Sequence, residues 1–348
     1  MKLGIQIQWD EKTLRIPLER IRYVESLGYD SVWSAEAYGS DAITPLAFLA
    51  AHTTRIRLGS AITQVDARTP ASTAMSFATL DALAPGRAIC GLGLSGPQIV
   101  EGWYGRPWGS PVHKLRDTVE IIRKVWKREG PVRHDGRQIQ LPYAGPDASG
   151  MGKPLKSILH ANPDIPIWLG TGGDATVRLT AELADGWLPF GFRPGAMERF
   201  RPLLEEGFAR AGGGKSLADF EIQAGCSVEI TNDVKAALAA QKPFIALYVG
   251  GMGHEKMNFH KQRMEREGWP EAAQRIQELF LAGQRQEAIE AVPDDYVDEG
   301  GLIGPVDRIK QLYRDRWEGC GATGLTVRAR QDEALALMAD LAGARDAV

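Results

Sequence analysis

Apolar and polar positions along the chain fall into a repeating pair of patterns. A short, mostly apolar run over residues 3–8 reads as a buried strand. Residues 15–27 then place apolar side chains at helical spacing and stop at Gly28. The pair recurs as a strand over 29–34 with a helix from about 44 to 52, a strand over 56–62 with a helix over 70–83, and a strand over 87–93 with a helix over 113–127. Strand–helix alternation of this kind predicts parallel strands joined by right-handed crossovers.

A polar interruption follows. Residues 132–143 alternate around Asp135-Gly136, a two-residue hairpin signal, and the next twenty residues are rich in Gly, Pro and Ser. The alternation resumes with strands over 165–170, 187–190 and 220–230 and helices over 175–184 and 194–211. From 233 to about 291 the chain reads as helical, with one apolar run at 244–249. A last strand over 324–327 and a helix over 332–342 close it. Eight strands alternating with helices predict a (β/α)8 TIM barrel over 1–348 as one domain, with insertions at about 129–164 and 233–300. An open doubly wound sheet is the alternative, because the sixth and eighth strands are short.

Composition narrows the function. The chain has 348 residues, 44% hydrophobic and 24% charged, and a net charge of −3, so it carries no electrostatic footprint for nucleic acid or a membrane surface. No apolar run reaches the roughly 18–20 residues of a membrane span. The first residues enter a strand directly, without the pattern of a secretory leader, so a cytoplasmic location is expected. Cys90, Cys226 and Cys320 are too few and too scattered for a disulfide framework. The six histidines, His254 and His260 among them, have no metal-ligand spacing, so no metal is expected.

In a TIM barrel the chemistry sits just past the strand C-termini. Strand two ends at Ser34 and is followed by Glu36 and Tyr38; a carboxylate there serves either chemistry or an ion pair. Strand three ends near Ser60, Ala61, Thr63 and Gln64, whose small and hydroxyl-bearing side chains suit a planar ligand. Strand four runs into Gly91-Leu92-Gly93-Leu94-Ser95-Gly96, a literal G-x-G-x-x-G. A dinucleotide fingerprint must open a helix at once. Pro97 and the glycines and prolines up to Pro111 instead predict a loop until about His113, so the motif reads as a glycine-rich strand end beneath a flat ring. Strand five leads through Gly170, Thr171, Gly172 and Gly173 into a helix, which is either a phosphate cradle of exposed N–H groups or a bare tight turn. Trp103, Tyr104 and Trp108 either roof an apolar pocket or fill a loop.

The runs Leu27-Gly28-Tyr29-Asp30-Ser31-Val32-Trp33 with Glu36, Arg55-Ile56-Arg57-Leu58-Gly59-Ser60-Ala61-Ile62, Arg68-Thr69-Pro70-Ala71 and Thr79 to Arg87 together resemble the bacterial-luciferase-like superfamily. The stretch GLGLSGPQIVEGWYG from Gly91 to Gly105 resembles its branch that uses the deazaflavin coenzyme F420; Ala181 to Pro189 fits the same family, and the segment from Tyr248–Gly253 to Gly304-Pro305 also looks like the F420 branch. The resemblance implies an isoalloxazine-like ring at the strand C-termini, above a non-prolyl cis peptide at Ser60–Ala61. It makes Glu36, Ser60, Ala61 and Thr63 ring contacts and sets Gly170 to Gly173 near the ribityl phosphate. Gly93, Gly96 and Gln98 are expected beside the cofactor, and Tyr38, Gln64, Trp103, Tyr104 and Trp108 around the substrate.

It also implies hydride transfer between the deazaflavin and a small apolar or electron-poor substrate, with Glu36 as acid/base candidate and Gln98 and Tyr38 as its orienters. Sugar-phosphate dehydrogenases of the group carry a histidine where this chain has Ala37 and a glutamate where it has Gly96, which argues against sugar-phosphate oxidation. The alternatives are an FMN-dependent monooxygenase supplied with reduced flavin by a separate reductase, and a flavin-binding protein without catalysis. A homodimer is expected from relatives. The helical insertion reads equally as a substrate lid or an oligomer contact.

Overall fold

The computed structural model describes residues 1–8, 13–252 and 258–347. The chain runs β1 (Lys2–Gln6), α1 (Leu18–Ser26), β2 (Ser31–Ser34), α2 (Ile43–Ala50), β3 (Arg57–Ser60), β4 (Thr63–Gln64), α3 (Pro70–Leu83), β5 (Ala88–Gly93), α4 (Pro97–Gly102) and α5 (Pro111–Lys127). It continues through β6 (His134–Asp135), β7 (Gln140–Leu141), β8 (Ile167–Thr171), α6 (Asp174–Leu183), β9 (Gly186–Pro189), α7 (Ala196–Ala211) and β10 (Glu221–Ile230). Then come α8 (Val234–Gly250), α9 (Phe259–Arg266), α10 (Pro270–Leu281), α11 (Arg285–Glu290), α12 (Asp294–Glu299), β11 (Gly301–Gly304), α13 (Val306–Leu312), β12 (Gly324–Arg328) and α14 (Asp332–Leu341).

The strands close on themselves. β1, β2, β3, β5, β8, β9, β10 and β12 pair in that order, β12 pairs back to β1, and every pairing is parallel. This is the (β/α)8 barrel, and the open sheet is excluded; the two short strands, β9 and β12, are both staves. Parallel strands covered on both faces need apolar side chains throughout. Accordingly, β2 and β5 are buried at every residue.

Alternate residues face the lumen, and large ones fill it. Trp33 and Trp168 lie with ring centroids 5.2 Å apart beside Ile89, all almost fully buried. Only glycine fits opposite them, since a Cβ on Gly59 would fall on the Trp33 ring and one on Gly186 on the Trp168 ring. Below, Arg57 stacks 5.6 Å from the Trp168 centroid and pairs with Asp30 and Glu221, while Lys2 reaches Glu221 at 2.8 Å. The lower end of the barrel is therefore stopped by rings and an ion-pair cluster.

Several sequence expectations change. The third strand breaks at Ala61–Ile62, which is the cis peptide; Ser60–Ala61 is not. A helix does begin at Pro97, directly after Gly96, rather than near His113. Proline at the first helical position lacks only an N–H that has no partner there, so it starts the helix instead of blocking it. The register Asp135↔Gln140 leaves a four-residue turn, not the two-residue turn read at Asp135-Gly136. The first helix starts at Leu18, after Pro17, rather than at Arg15. Strand β11 was not foreseen; it pairs with the upper half of β10, outside the ring.

The insertion from 233 to 300 folds as α8–α12 around its own apolar cluster, with Val249, Met264, Ile276 and Tyr296 at its centre. His254 and Gly253 lie outside the described residues. In the insertion over 129–164, Met151, Leu155, Ile158 and Leu159 are exposed. Among the described residues no helix is long and apolar enough to cross a membrane.

Candidate active site

The cis peptide throws Ile62 into the barrel mouth. A Cβ on Gly93 would lie 2.7 Å from Ile62 Cγ1, and one on Gly170 would lie 2.6 Å from its Cγ2. Both glycines are thus required by Ile62, and the three residues form an apolar floor across the ends of β4, β5 and β8. Ser60, expected at the ring, is fully buried below this floor. Its Oγ donates to the Gly91 carbonyl at 2.7 Å and accepts from the Gly91 N–H at 3.1 Å, so its hydrogen-bonding capacity is spent on joining β3 to β5. Ala61 packs against the Trp33–Ile89–Trp168 cluster.

Beside the floor stands Glu36. Its N–H donates to the Ile62 carbonyl, and its buried carboxylate takes Arg68 Nη1 at 2.8 and 2.9 Å and the Gln64 N–H at 3.1 Å. Gln64 Nε2 returns a bond to the Glu36 carbonyl. Arg68 also lies 3.7 Å from Asp41, whose carboxylate accepts the Ile43 and Thr44 N–H groups at the start of α2. Arg68 and Gln64, not Gln98 and Tyr38, therefore orient Glu36. Gln98 is exposed at the first turn of α4, and the Tyr38 hydroxyl contacts Met252 Sδ at 3.9 Å. Arg68 was missed because it lies 32 residues from Glu36; its place just past the short β4 was the available signal.

Among the described residues, Ser34 Oγ, Thr63 Oγ1 and Gln64 Oε1 are buried near the strand ends without a hydrogen-bond partner. Such atoms cost free energy unless a ligand or water engages them. The Tyr104 phenol is pushed above its ordinary value, first by burial and then by the Glu36 carboxylate. Trp103 is exposed and Trp108 half-buried, so both stand at the rim.

At the end of β8, Gly173 caps α6, and its carbonyl accepts the Val177 N–H. Thr171 is turned inward, its hydroxyl bonded to that of Thr180 at 2.8 Å and its carbonyl accepting from the Phe190 N–H and Trp187 Nε1, so neither faces a ligand. A Cβ on Gly172 would meet the Phe190 carbonyl at 2.8 Å, whereas Gly173 is nearly open. Asp174 in the first turn is neutralised by Arg199 at 2.5 Å, which preserves the attraction of the helix N-terminus for an anion.

The helical insertion covers this mouth. Tyr248 on α8 stacks edge-on with His260 on α9 at 4.6 Å, and His260 meets Phe190 at 4.9 Å. Phe259 reaches toward Gly96, and Met252 meets Tyr38. Burial lowers the His260 pKa to about 3, with the Arg263 charge adding to the effect, so this imidazole is neutral at physiological pH.

The family model of luciferase-like monooxygenases matches residues 1–324. Over 335 residues, 96% of each chain, the sequence is 44% identical to "Putative coenzyme F420-dependent oxidoreductase Rv3520c" of Mycobacterium tuberculosis. Among solved structures, the coenzyme F420-dependent tetrahydromethanopterin reductase of Methanopyrus kandleri superposes with a TM-score of 0.74 at 25% identity over 97% of each chain. A type II Baeyer–Villiger monooxygenase of Pseudomonas putida in complex with FMN shares the fold, with a TM-score of 0.65 at 17% identity over 97% of this chain and 96% of that one.

Proposed function

Since the chain belongs to the luciferase-like monooxygenase family and is an oxidoreductase, we propose that it binds coenzyme F420 and transfers a hydride between it and a small organic substrate. The observation that carries this reading is the floor of Ile62 over Gly93 and Gly170, flanked by the unpartnered Ser34, Thr63 and Gln64 side-chain atoms. Flat apolar support edged by polar atoms suits a deazaflavin ring, and the similarity to F420-dependent relatives favours it over FMN. When bound, the coenzyme supplies a ring carbon that gives or takes a hydride.

The chain's residues do the rest. Ile62 and Ala61 would support the ring from below, and Thr63 and Gln64 would bond its polar edge. The N–H groups of Gly172, Gly173 and Asp174 would hold the phosphate at the start of α6. Glu36, fixed by Arg68 and Gln64, sets a negative charge beside the reacting face and is the acid/base candidate, with the Tyr104 phenol next to it. Tyr38, Tyr248, Phe259 and the neutral His260 keep water from the substrate side. On the same reading the chain works as a cytoplasmic homodimer and receives reduced cofactor from a separate reductase.

Parallel fluorescence titrations with F420 and with FMN test the assignment. Low-micromolar F420 binding with FMN at least tenfold weaker is expected. A preference for FMN, with oxygen uptake when reduced FMN is supplied, would overturn it in favour of a monooxygenase.

A further inference from the structure

Arg328 ends the eighth stave of the barrel. Gly324 and Thr326 before it face the lumen, where Gln223 Nε2 donates to Thr326 Oγ1 at 3.2 Å. Strand alternation puts Arg328 on the same inward face, one step closer to the mouth. The neighbouring stave agrees: a Cβ on Gly225 would lie 3.5 Å from both guanidinium Nη atoms, so the head group folds over Gly225 inside the ring.

No carboxylate, carbonyl or hydroxyl among the described residues bonds this guanidinium. The side chain is exposed at the mouth. Burial is the largest influence lowering its pKa, and Arg263 on α9 adds its own positive charge. Arg263 Nε is buried without a hydrogen bond, 3.6 Å from the Glu267 carboxylate, and its Nη2 donates to Tyr296 at 3.2 Å. Two positive side chains facing one mouth raise the local potential for an anion. By contrast, Arg68 on the opposite wall has Glu36 and Asp41.

The space between these walls is apolar. Phe190, Tyr248 and His260 form one contiguous aromatic face, with Arg263 over the Phe190 ring at 5.3 Å. The mouth therefore offers an apolar wall that ends in an uncompensated positive charge. The glycine turn at α6 belongs to the fifth stave, three strands around the ring from Arg328, so it makes a separate anion site.

We infer that the substrate is an amphipathic organic anion, with an apolar ring or chain lying along Phe190 and Tyr248 and a carboxylate or similar oxyanion received by Arg328. This rests on the mouth being the active site proposed above. A planar guanidinium favours such a group because two parallel N–H donors match its two oxygens.

A matched pair of probes tests it: 8-anilinonaphthalene-1-sulfonate, which is anionic, and N-phenyl-1-naphthylamine, its neutral frame. Each is titrated by fluorescence against wild type, Arg328→Met and Arg328→Lys, with F420 affinity and thermal midpoint measured in parallel. Wild type is expected to prefer the sulfonate, Arg328→Met to weaken it tenfold or more with the neutral probe unchanged, and Arg328→Lys to fall between. Equal affinities of both probes for wild type, or no change in Arg328→Met, would overturn the inference. So would loss of F420 affinity in Arg328→Met with probe binding intact, which would assign the arginine to the cofactor. If wild type fails to bind F420 while the charge discrimination persists, the cofactor assignment falls and the anion site stands.

Discussion

Arg68 Nη1 touches both carboxylate oxygens of Glu36, at 2.8 and 2.9 Å, and joins the loop after β2 to the segment after β4. A carboxylate so held is fixed in position beside the floor. Replacing Glu36 by Gln keeps the shape and removes the charge. Turnover is expected to fall more than tenfold while F420 affinity stays within about threefold, because the loss falls on the reacting face. Steady-state kinetics with a fluorescence titration checks this, and an unchanged turnover would reduce the pair to a strut between loops.

Ile62 over Gly93 gives a paired test. Gly93→Ala forces Ile62 upward and is expected to weaken F420 binding at least tenfold; Ile62→Val in the same chain returns space and restores part of it. Gly93→Ala binding as well as wild type would show that the floor does not touch the cofactor.

At the start of α6, Gly173 has φ −86°, which proline accepts. Gly173→Pro removes one N–H while leaving the helix start intact. F420 affinity should drop about tenfold with the thermal midpoint nearly unchanged. Affinity measured by calorimetry that stays at the wild-type value would place the phosphate elsewhere.

The double hydrogen bond between Ser60 and Gly91 sits in a fully dry layer. Ser60→Ala strands the Gly91 groups it served, and urea unfolding should show a loss of about 1–3 kcal/mol. An unaltered urea midpoint would mean that the pair contributes nothing to stability.

His260 gives stability a pH dependence. Its folded pKa, about 3, lies below the ordinary 6.5, so the unfolded chain binds the proton more tightly. This group's contribution is complete above about pH 6.5 and is lost as pH falls toward 3, at up to about 1.4 kcal/mol per pH unit. His260→Phe should flatten the urea-unfolding profile between pH 6.5 and 4 relative to wild type; parallel profiles would contradict the assigned burial.

The barrel was legible because most staves carry short, largely apolar runs that alternate with amphipathic helices. What escaped was set by neighbours distant in sequence. Arg68 is an ordinary surface-type residue until the loop after β2 meets the segment after β4. Ser60 looked like a ligand contact because nothing local reveals that Gly91 takes both of its bonds. The cis bond falls one residue later than expected, at Ala61–Ile62. Arg328 had a readable signal that went unused: a charged side chain at the last inward position of a barrel strand, the same sign that drew attention to the end of strand two.

Trp33, Trp168 and the Arg57 cluster make the barrel a blind well. Its lower end is closed, so on the proposed reading cofactor and substrate would share one doorway beneath α8 and α9. If the cofactor lies on the Ile62 floor, it would go in first and come out last, so turnover would have a fixed order in which the outgoing product clears the threshold before the cofactor is exchanged.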